Sequence, residues 1–467
     1  MDRRNFLALS AAASIAGIPL AGCSDDGDWD LPERKAAEKQ SGKRRIPWRN
    51  WSGYLESYPQ LKAAPASVGE LAELLKNAKG TVRPVGSSHS FQPLVPTDDT
   101  IVSLRNFQGL LDYDPEKLTA TFGAGTKLGN VGDPLHEAGQ ALPNMPDVDA
   151  QTLAGAMATG THGTSKHRGA LHSYIEELEL VTPQGEILSC SKSKNSDIFK
   201  AAQVSLGSLG IITKYKMQNV ETTRLKRQAF MLDINDFYDG FDKLIEENHS
   251  VDSYYLPFCD RVLVVAINPT DDPINSREGD PDASAVDEMK ALRDYLNGWP
   301  GLRRWLINKA TADYPLEENV DWWHKVYPSE RSVRFNEMEY HMDLSELIPT
   351  LKKVRETVET QFPEVFFPIE IRVVKGDNAW LSPFGGHETS ASIAVHRFYK
   401  EDPKPYFAAI EPLFKAAGGR PHWGKMNTMQ GYELEAAYPQ WGEFKKIRQQ
   451  LDPDGKMLNE YLGQIFG

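Results

Sequence analysis

The chain has 467 residues, enough for two domains, and its 52 lysines and arginines stand against 65 aspartates and glutamates, a formal charge of −13. That balance argues against nucleic acid as a partner and says nothing about a small-molecule substrate. With Cys23 set aside, only Cys190 and Cys259 remain; nothing in their spacing argues for a disulfide, and no Cys/His cluster has metal-ligand spacing, so no metal is expected.

Met1-Asp2-Arg3-Arg4-Asn5-Phe6-Leu7 precedes an apolar run from Ala8 to Ala21, then Gly22-Cys23. The run is too short to cross a bilayer comfortably, so 1–23 reads as a processed signal. The arginine pair before Phe-Leu resembles a twin-arginine export signal. Leu20-Ala21-Gly22-Cys23 resembles a lipobox, which makes Cys23 the acylated N-terminus. Ser24 after it favours outer-membrane retention, so the expected location is periplasmic, with the membrane touched through the lipid alone. Residues 24–45 are charged and poor in apolar side chains, a disordered tether.

Ile46-Pro47-Trp48-Arg49-Asn50-Trp51-Ser52-Gly53 reads as an entry segment. Ser67 then caps a helix with Val68, Leu71, Leu74 and Leu75 at helical spacing. Strands are expected at 81–84, 100–104 and 119–123. A hairpin is expected from 175–182 and 186–189, turning at Pro183-Gln184-Gly185. From about Lys214 helices and strands lengthen. Residues 271–287, rich in Pro, Asp and Ser, read as a surface loop, 344–360 as a helix, and 366–374 and 390–398 as strands. No internal repeat is visible.

Two small-residue loops stand out. Val85-Gly86-Ser87-Ser88-His89-Ser90 follows a β-branched approach, and Thr152-Leu153-Ala154-Gly155 leads into Gly160-Thr161-His162-Gly163. Such loops bring backbone N–H groups close to a phosphate with no side chains in the way. Farther on, Glu370-Ile371-Arg372 alternates on a strand, so Glu370 and Arg372 share a face, either a solvent-facing pair or the lining of a pocket. His396 shares a face with Ala394 and Phe398, as a satisfied interior histidine or a site residue. Pro421-His422-Trp423-Gly424-Lys425 has no account in periodicity.

Together these motifs resemble the FAD-dependent oxidoreductases of the vanillyl-alcohol oxidase superfamily, in the aldonolactone oxidase and alditol oxidase branch, over nearly everything after residue 46 and least in 225–330. The resemblance implies an α+β fold: a two-subdomain PCMH-type FAD-binding domain at 46–215, an α+β substrate or cap domain at 216–440, and a tail, 441–467, returning to the FAD domain. It implies FAD contacts at Val85, Gly86, Ser87, Ser88, His89, Ser90, Thr152, Gly155, Gly160, Thr161, His162, Gly163 and Ile212, with His89 bonded covalently to the flavin. Thr152, Glu370, Arg372, His396 and Lys425 are implied at the substrate. Catalysis falls to Lys425 or Arg372 as the cation at the hydroxyl, and to Glu370 or His396 for orientation or proton transfer.

The implied substrate is a sugar lactone or a polyol, with lactone oxidation favoured by Trp48-Arg49-Asn50-Trp51 and Glu337-Met338-Glu339-Tyr340. The implied acceptor is O2, a quinone or a cytochrome; Gln151 stands where the alditol branch carries a small residue, a bulk that would block oxygen. Two other classes fit less of the chain. A flavin carrier without catalysis would be expected to have lost at least one of these site residues, and a flavin-free carbohydrate-binding lipoprotein requires both glycine loops to be accidental.

Overall fold

The computed structural model of the protein describes residues 46–277, 279, 281–329 and 333–467, so the signal at 1–23 and the tether at 24–45 lie outside the described residues. Leu61–Ala63, Thr100–Ser103 and Val82–Val85 form a parallel sheet in that order. Ser67 caps the helix Val68–Asn77 by accepting from the Glu70 N–H, and Leu71 and Leu75 are buried. Beside it lies an antiparallel sheet in the order Ile187–Ser191, Ile175–Val181, Ile211–Gln218, Thr119–Gly123, Leu110–Asp114. The expected hairpin is its first pair.

The second domain is built on eight antiparallel strands: Glu317–Trp322, Arg224–Asp233, Arg261–Thr270, Ser250–Tyr255, Ile369–Lys375, Thr389–Phe398, Phe335–Asp343 and Arg420–Pro421. It contains a duplication that the residues do not advertise. Arg224–Asp233, the helix Ile234–Glu247, Ser250–Tyr255 and Arg261–Thr270 run strand-helix-strand-strand. So do Phe335–Asp343, the helix Leu344–Gln361, Ile369–Lys375 and Thr389–Phe398. Each helix starts from an aspartate that ends its strand: Asp233 accepts from Asn235 N at 2.9 Å and Asp343 from Ser345 N at 3.0 Å. The halves meet where Ser250–Tyr255 pairs antiparallel with Ile369–Lys375. The helices bury apolar stripes, Phe237, Phe241 and Ile245 in one and Leu347, Leu351, Val354 and Val358 in the other. They pack against strands of their own halves.

Three expectations change. Residues 271–287 are not a loop throughout, because a helix, Pro281–Leu296, begins inside them; Val286 and Met289 pack on the cluster of Phe91, Phe335, Phe366 and Phe367, an apolar spacing that the acidic composition hides. The boundary at 215 falls inside the strand Ile211–Gln218, and Val220–Glu221 still pairs with Gln140–Ala141, so the first domain's sheets extend to Glu221. The return to the first domain begins before 441: Phe91 N donates to Gly424 O at 2.7 Å and Gln92 Nε2 to Asn427 O at 3.0 Å. It is completed at Arg83, 1% exposed, whose guanidinium donates to the carbonyls of Leu94, Leu206, Gly207 and Met457. Cys190 and Cys259 are both buried free thiols.

Candidate active site

A cavity of about 500 Å³ lies between the two domains, within the size range of small-molecule sites. The two small-residue loops form one side of it. Gly86 sits so close to Thr152 that a Cβ there would stand 2.3 Å from the Thr152 hydroxyl, which is why the first loop needs glycine at that place. Ser88 adopts φ 63°, a left-handed conformation that costs a non-glycine residue. The entry segment holds it there: Trp48 Nε1 donates to Ser88 Oγ at 3.0 Å and Trp51 N to Ser88 O at 2.7 Å. Asn50 Nδ2 donates to Ser90 O at 3.1 Å, and the Trp51 ring stacks on His89 with centroids 5.4 Å apart. Burial, aided by the charges of Lys425 and Lys127, lowers His89 to about 4, so its imidazole is neutral at ordinary pH.

Thr152 is the N-cap of the helix Leu153–Thr159, its hydroxyl accepting from Gly155 N at 3.3 Å. Gly160 ends that helix at φ 78°, the left-handed cap that favours glycine. Val85, Gly86, Ser87, Ser88, His89, Ser90, Thr152, Gly155, Thr161, His162 and Ile212 all line the cavity. Among the described residues, Gly160 and Gly163 do not: the first terminates the helix, and the second offers its carbonyl to His162 Nδ1 at 2.7 Å.

The opposite wall comes from one face of the eight-stranded sheet. Pairing sets Glu337 opposite His396, and Glu370 and Arg372 opposite Ala394 and Ser392. The small side chains of Ala394 and Ser392 leave room above the strand between them. Both faces of Ile369–Lys375 are buried, which removes the solvent-facing reading of Glu370 and Arg372. Arg372 gathers three carboxylates: Glu370 at 2.7 Å, Asp252 at 3.0 Å and Asp147 at 3.0 Å. Burial pushes Glu370 and Asp252 up; the charge of Arg372 opposes it most, and the repulsion of neighbouring carboxylates adds to the rise.

Lys425 reaches the wall from the His-Trp-Gly-Lys turn, braced where its own N–H donates to His422 O at 2.9 Å. Its ammonium pairs with Glu337. Burial alone would lower Lys425, but Glu337 and Glu339 outweigh it and the group stays cationic. Burial likewise opposes the charged form of Glu337, and Lys425 and His396 together hold it well below the usual carboxylate range.

Two expected substrate residues stand behind the wall. Glu370 hydrogen-bonds Arg372, and His396 lies 3.6 Å from Glu337 with Phe335 edge-on at 4.8 Å; neither is among the cavity-lining residues. Sequence reasoning missed Glu337, Glu339 and His422, which do line it. The signal was present in the alternation of Glu337, Glu339 and His341 along one strand.

The glycine-loop side fits the expected flavin dinucleotide. Besides the close approach at Gly86, the buried Ser87 hydroxyl has no hydrogen-bond partner among the described residues and sits in the cavity wall. That is an unsatisfied donor where a phosphate or ring oxygen is needed.

Residues 215–465 match the D-arabinono-1,4-lactone oxidase model and 59–191 the FAD binding domain model. The chain is 32% identical to an L-gulono-1,4-lactone dehydrogenase of Mycobacterium tuberculosis, over 90% of this chain and 99% of that one. It is 29% identical to L-gulonolactone oxidase of Bos taurus, over 91% and 99%. An alditol oxidase of Streptomyces sp. is 25% identical, over 89% and 98%. A cholesterol oxidase from B. sterolicum shares the fold, with a TM-score of 0.78 at 15% identity over 91% of this chain and 97% of that one.

Proposed function

The chain belongs to the D-arabinono-1,4-lactone oxidase family, and from that premise we propose that it oxidises the C2 hydroxyl of an aldono-1,4-lactone. It is an FAD-dependent oxidoreductase acting on CH–OH groups of sugar-derived substrates. The observation carrying the finer reading is the Lys425–Glu337 pair, set in the cavity wall where the His-Trp-Gly-Lys turn meets the loop that carries His89.

Bound FAD supplies the acceptor for the hydrogen that leaves the substrate carbon. The protein supplies the rest. Lys425, kept cationic by Glu337, stabilises alkoxide character at the substrate oxygen as the hydroxyl proton departs. Glu337 accepts from that hydroxyl and is the group placed to take its proton, with His396 standing 3.6 Å behind it. Arg372, fixed by three carboxylates, offers rigid donors to the lactone oxygens. The neutral His89 ring, held flat against Trp51, has a free nitrogen lone pair for the covalent bond to the flavin.

Gln151 favours a quinone or cytochrome over O2 as acceptor, because its amide is held at both ends. Its oxygen accepts from Thr161 at 2.8 Å and its nitrogen donates to Val148 O at 3.3 Å. We propose export and lipid anchoring as well, resting on the arginine pair and Cys23. An acylated Cys23 peptide, absent after Cys23→Ala, is the expected mass-spectrometric result.

The deciding experiment is anaerobic bleaching of the flavin spectrum by a panel of aldono-1,4-lactones and alditols. Fast bleaching by lactones is expected. Bleaching by alditols alone overturns the lactone reading, and flavin that all of them leave oxidised overturns both.

A further inference from the structure

Glu339 stands two residues beyond Glu337, on the same face of the strand, 2% exposed. Three buried imidazoles crowd it. His162 Nε2 is 3.1 Å from the Glu339 carboxylate and His341 Nε2 is 3.6 Å from it, while the rings of His162 and His422 lie 5.7 Å apart. The reaction outlined above gives none of these four groups a step of its own, Glu339 entering it only by helping to keep Lys425 cationic.

The donor set has a definite polarity. A carbonyl can only accept, so the His162 Nδ1 contact with Gly163 O at 2.7 Å places the proton on Nδ1. Nε2 then faces the Glu339 carboxylate at 3.1 Å, so a metal cation bound there takes the place of a proton shared by ring and carboxylate. An imidazole fixed through its second nitrogen by a backbone carbonyl is also the usual support of a metal-bound histidine. His341 adds an independent sign. It is fully buried, and neither of its ring nitrogens has a hydrogen-bond partner among the described residues, an unmet donor that burial makes costly. His422 is excluded as a ligand through Nδ1, which accepts from Gly424 N at 3.0 Å.

We propose that His162, Glu339 and His341 form a binding site for a divalent transition cation of the Zn²⁺ class. One ligand atom from each lies within 4.8 Å of the other two, a spacing that small side-chain rotations close onto an ion with bonds of about 2.0–2.2 Å. Two imidazoles with one carboxylate select zinc-like ions over magnesium or calcium. His162 and Glu339 line the cavity and His341 does not, so a fourth position opens toward the cavity for water or a ligand oxygen. The chain spacing of these residues conceals the site. Glu339 and His341 share a strand face, whereas His162 arrives from the other domain. The site stands apart from the choice of substrate.

The test is titration of chelator-washed holoprotein with Zn²⁺ alone, read by calorimetry and by metal analysis after gel filtration. One tightly held Zn²⁺ per chain is expected, with X-ray absorption showing two imidazole ligands. His341→Phe, which keeps the volume and removes the donor, is expected to weaken binding roughly 100-fold or more while flavin content stays unchanged. If that variant does not fold, Glu339→Gln serves in its place, read by Zn²⁺ binding alone, with the same roughly 100-fold or greater loss expected. No retained metal overturns the proposal. So does binding that survives both substitutions, which would assign the ion to the neighbouring cluster of Glu337, Glu370 and His396 or to the surface.

Discussion

At the scale of single residues, most of the proposed chemistry rests on Lys425 and the group that holds it. Lys425→Ala is expected to lower turnover by roughly 10²–10³-fold, the usual loss when one donor to a developing oxyanion is removed. Flavin content is expected to be unchanged, because the backbone contact that joins this turn to the first glycine loop, Phe91 N to Gly424 O, does not involve the Lys425 side chain. Steady-state turnover and absorption of the purified variant check both halves. Lys425 was legible from the sequence because no packing pattern explains a lysine after His-Trp-Gly. Glu337 was not: its neighbours Met338 and Tyr340 face the core, and an alternating Glu-x-Glu-x-His strand reads equally well as one with a solvated face. Only burial on both faces, which needs the other domain in place, separates the two readings.

At the scale of elements, Thr152 joins a helix to the site. Its hydroxyl caps Leu153–Thr159, and its side chain meets the first small-residue loop at Gly86. Thr152→Ala is expected to cost about 1 kcal/mol in chemical denaturation. Thr152→Ser, keeping the hydroxyl, is expected to recover most of that stability. Capping signals of this kind were readable in the chain, as Ser67 before Val68–Asn77 shows. The duplicated strand-helix-strand-strand unit was not. Its two copies share backbone geometry and a capping aspartate, but their inward faces carry different side chains. In one, the strand Ser250–Tyr255 carries Asp252 and Tyr254, and in the other Ile369–Lys375 carries Glu370 and Arg372, so self-similarity is lost where the two strands meet around Arg372.

At the scale of the whole molecule, Asp377 is a joint between the domains. It follows Ile369–Lys375 in the second domain, and its carboxylate takes His172 Nε2 at 2.9 Å and Ser173 Oγ at 3.3 Å from the first. Ala379 N and Ser382 Oγ complete the set at 2.9 and 2.8 Å. Burial works against its charge, but His172 and these donors more than offset it, leaving the group below its ordinary 3.8. A carboxyl depressed in the folded state stabilises above its unfolded value, and that stability is lost as pH falls through the folded one. Asp377→Asn is therefore expected to cost about 1.5–3 kcal/mol at neutral pH, with the gap to the parent protein closing below about pH 4. Urea unfolding across that range measures it. The sequence indicated a returning tail and two domains, yet it placed the return at 441, because Gly424 and Asn427 contact the first domain through backbone carbonyls that carry no residue signature.

The buried guanidinium of Arg83 gives the molecule an order of assembly. Its carbonyl acceptors come from residues 94, 206, 207 and 457, and the strand it sits on takes a further hydrogen bond, Val82 N to Lys456 O at 2.9 Å. A ribosome that has made the whole of the first domain has therefore not yet supplied the last clasp on the loop beginning two residues later at Val85. Nascent chains stalled before Met457 are expected to remain open there, and capture of the cofactor becomes an event that follows synthesis instead of accompanying it.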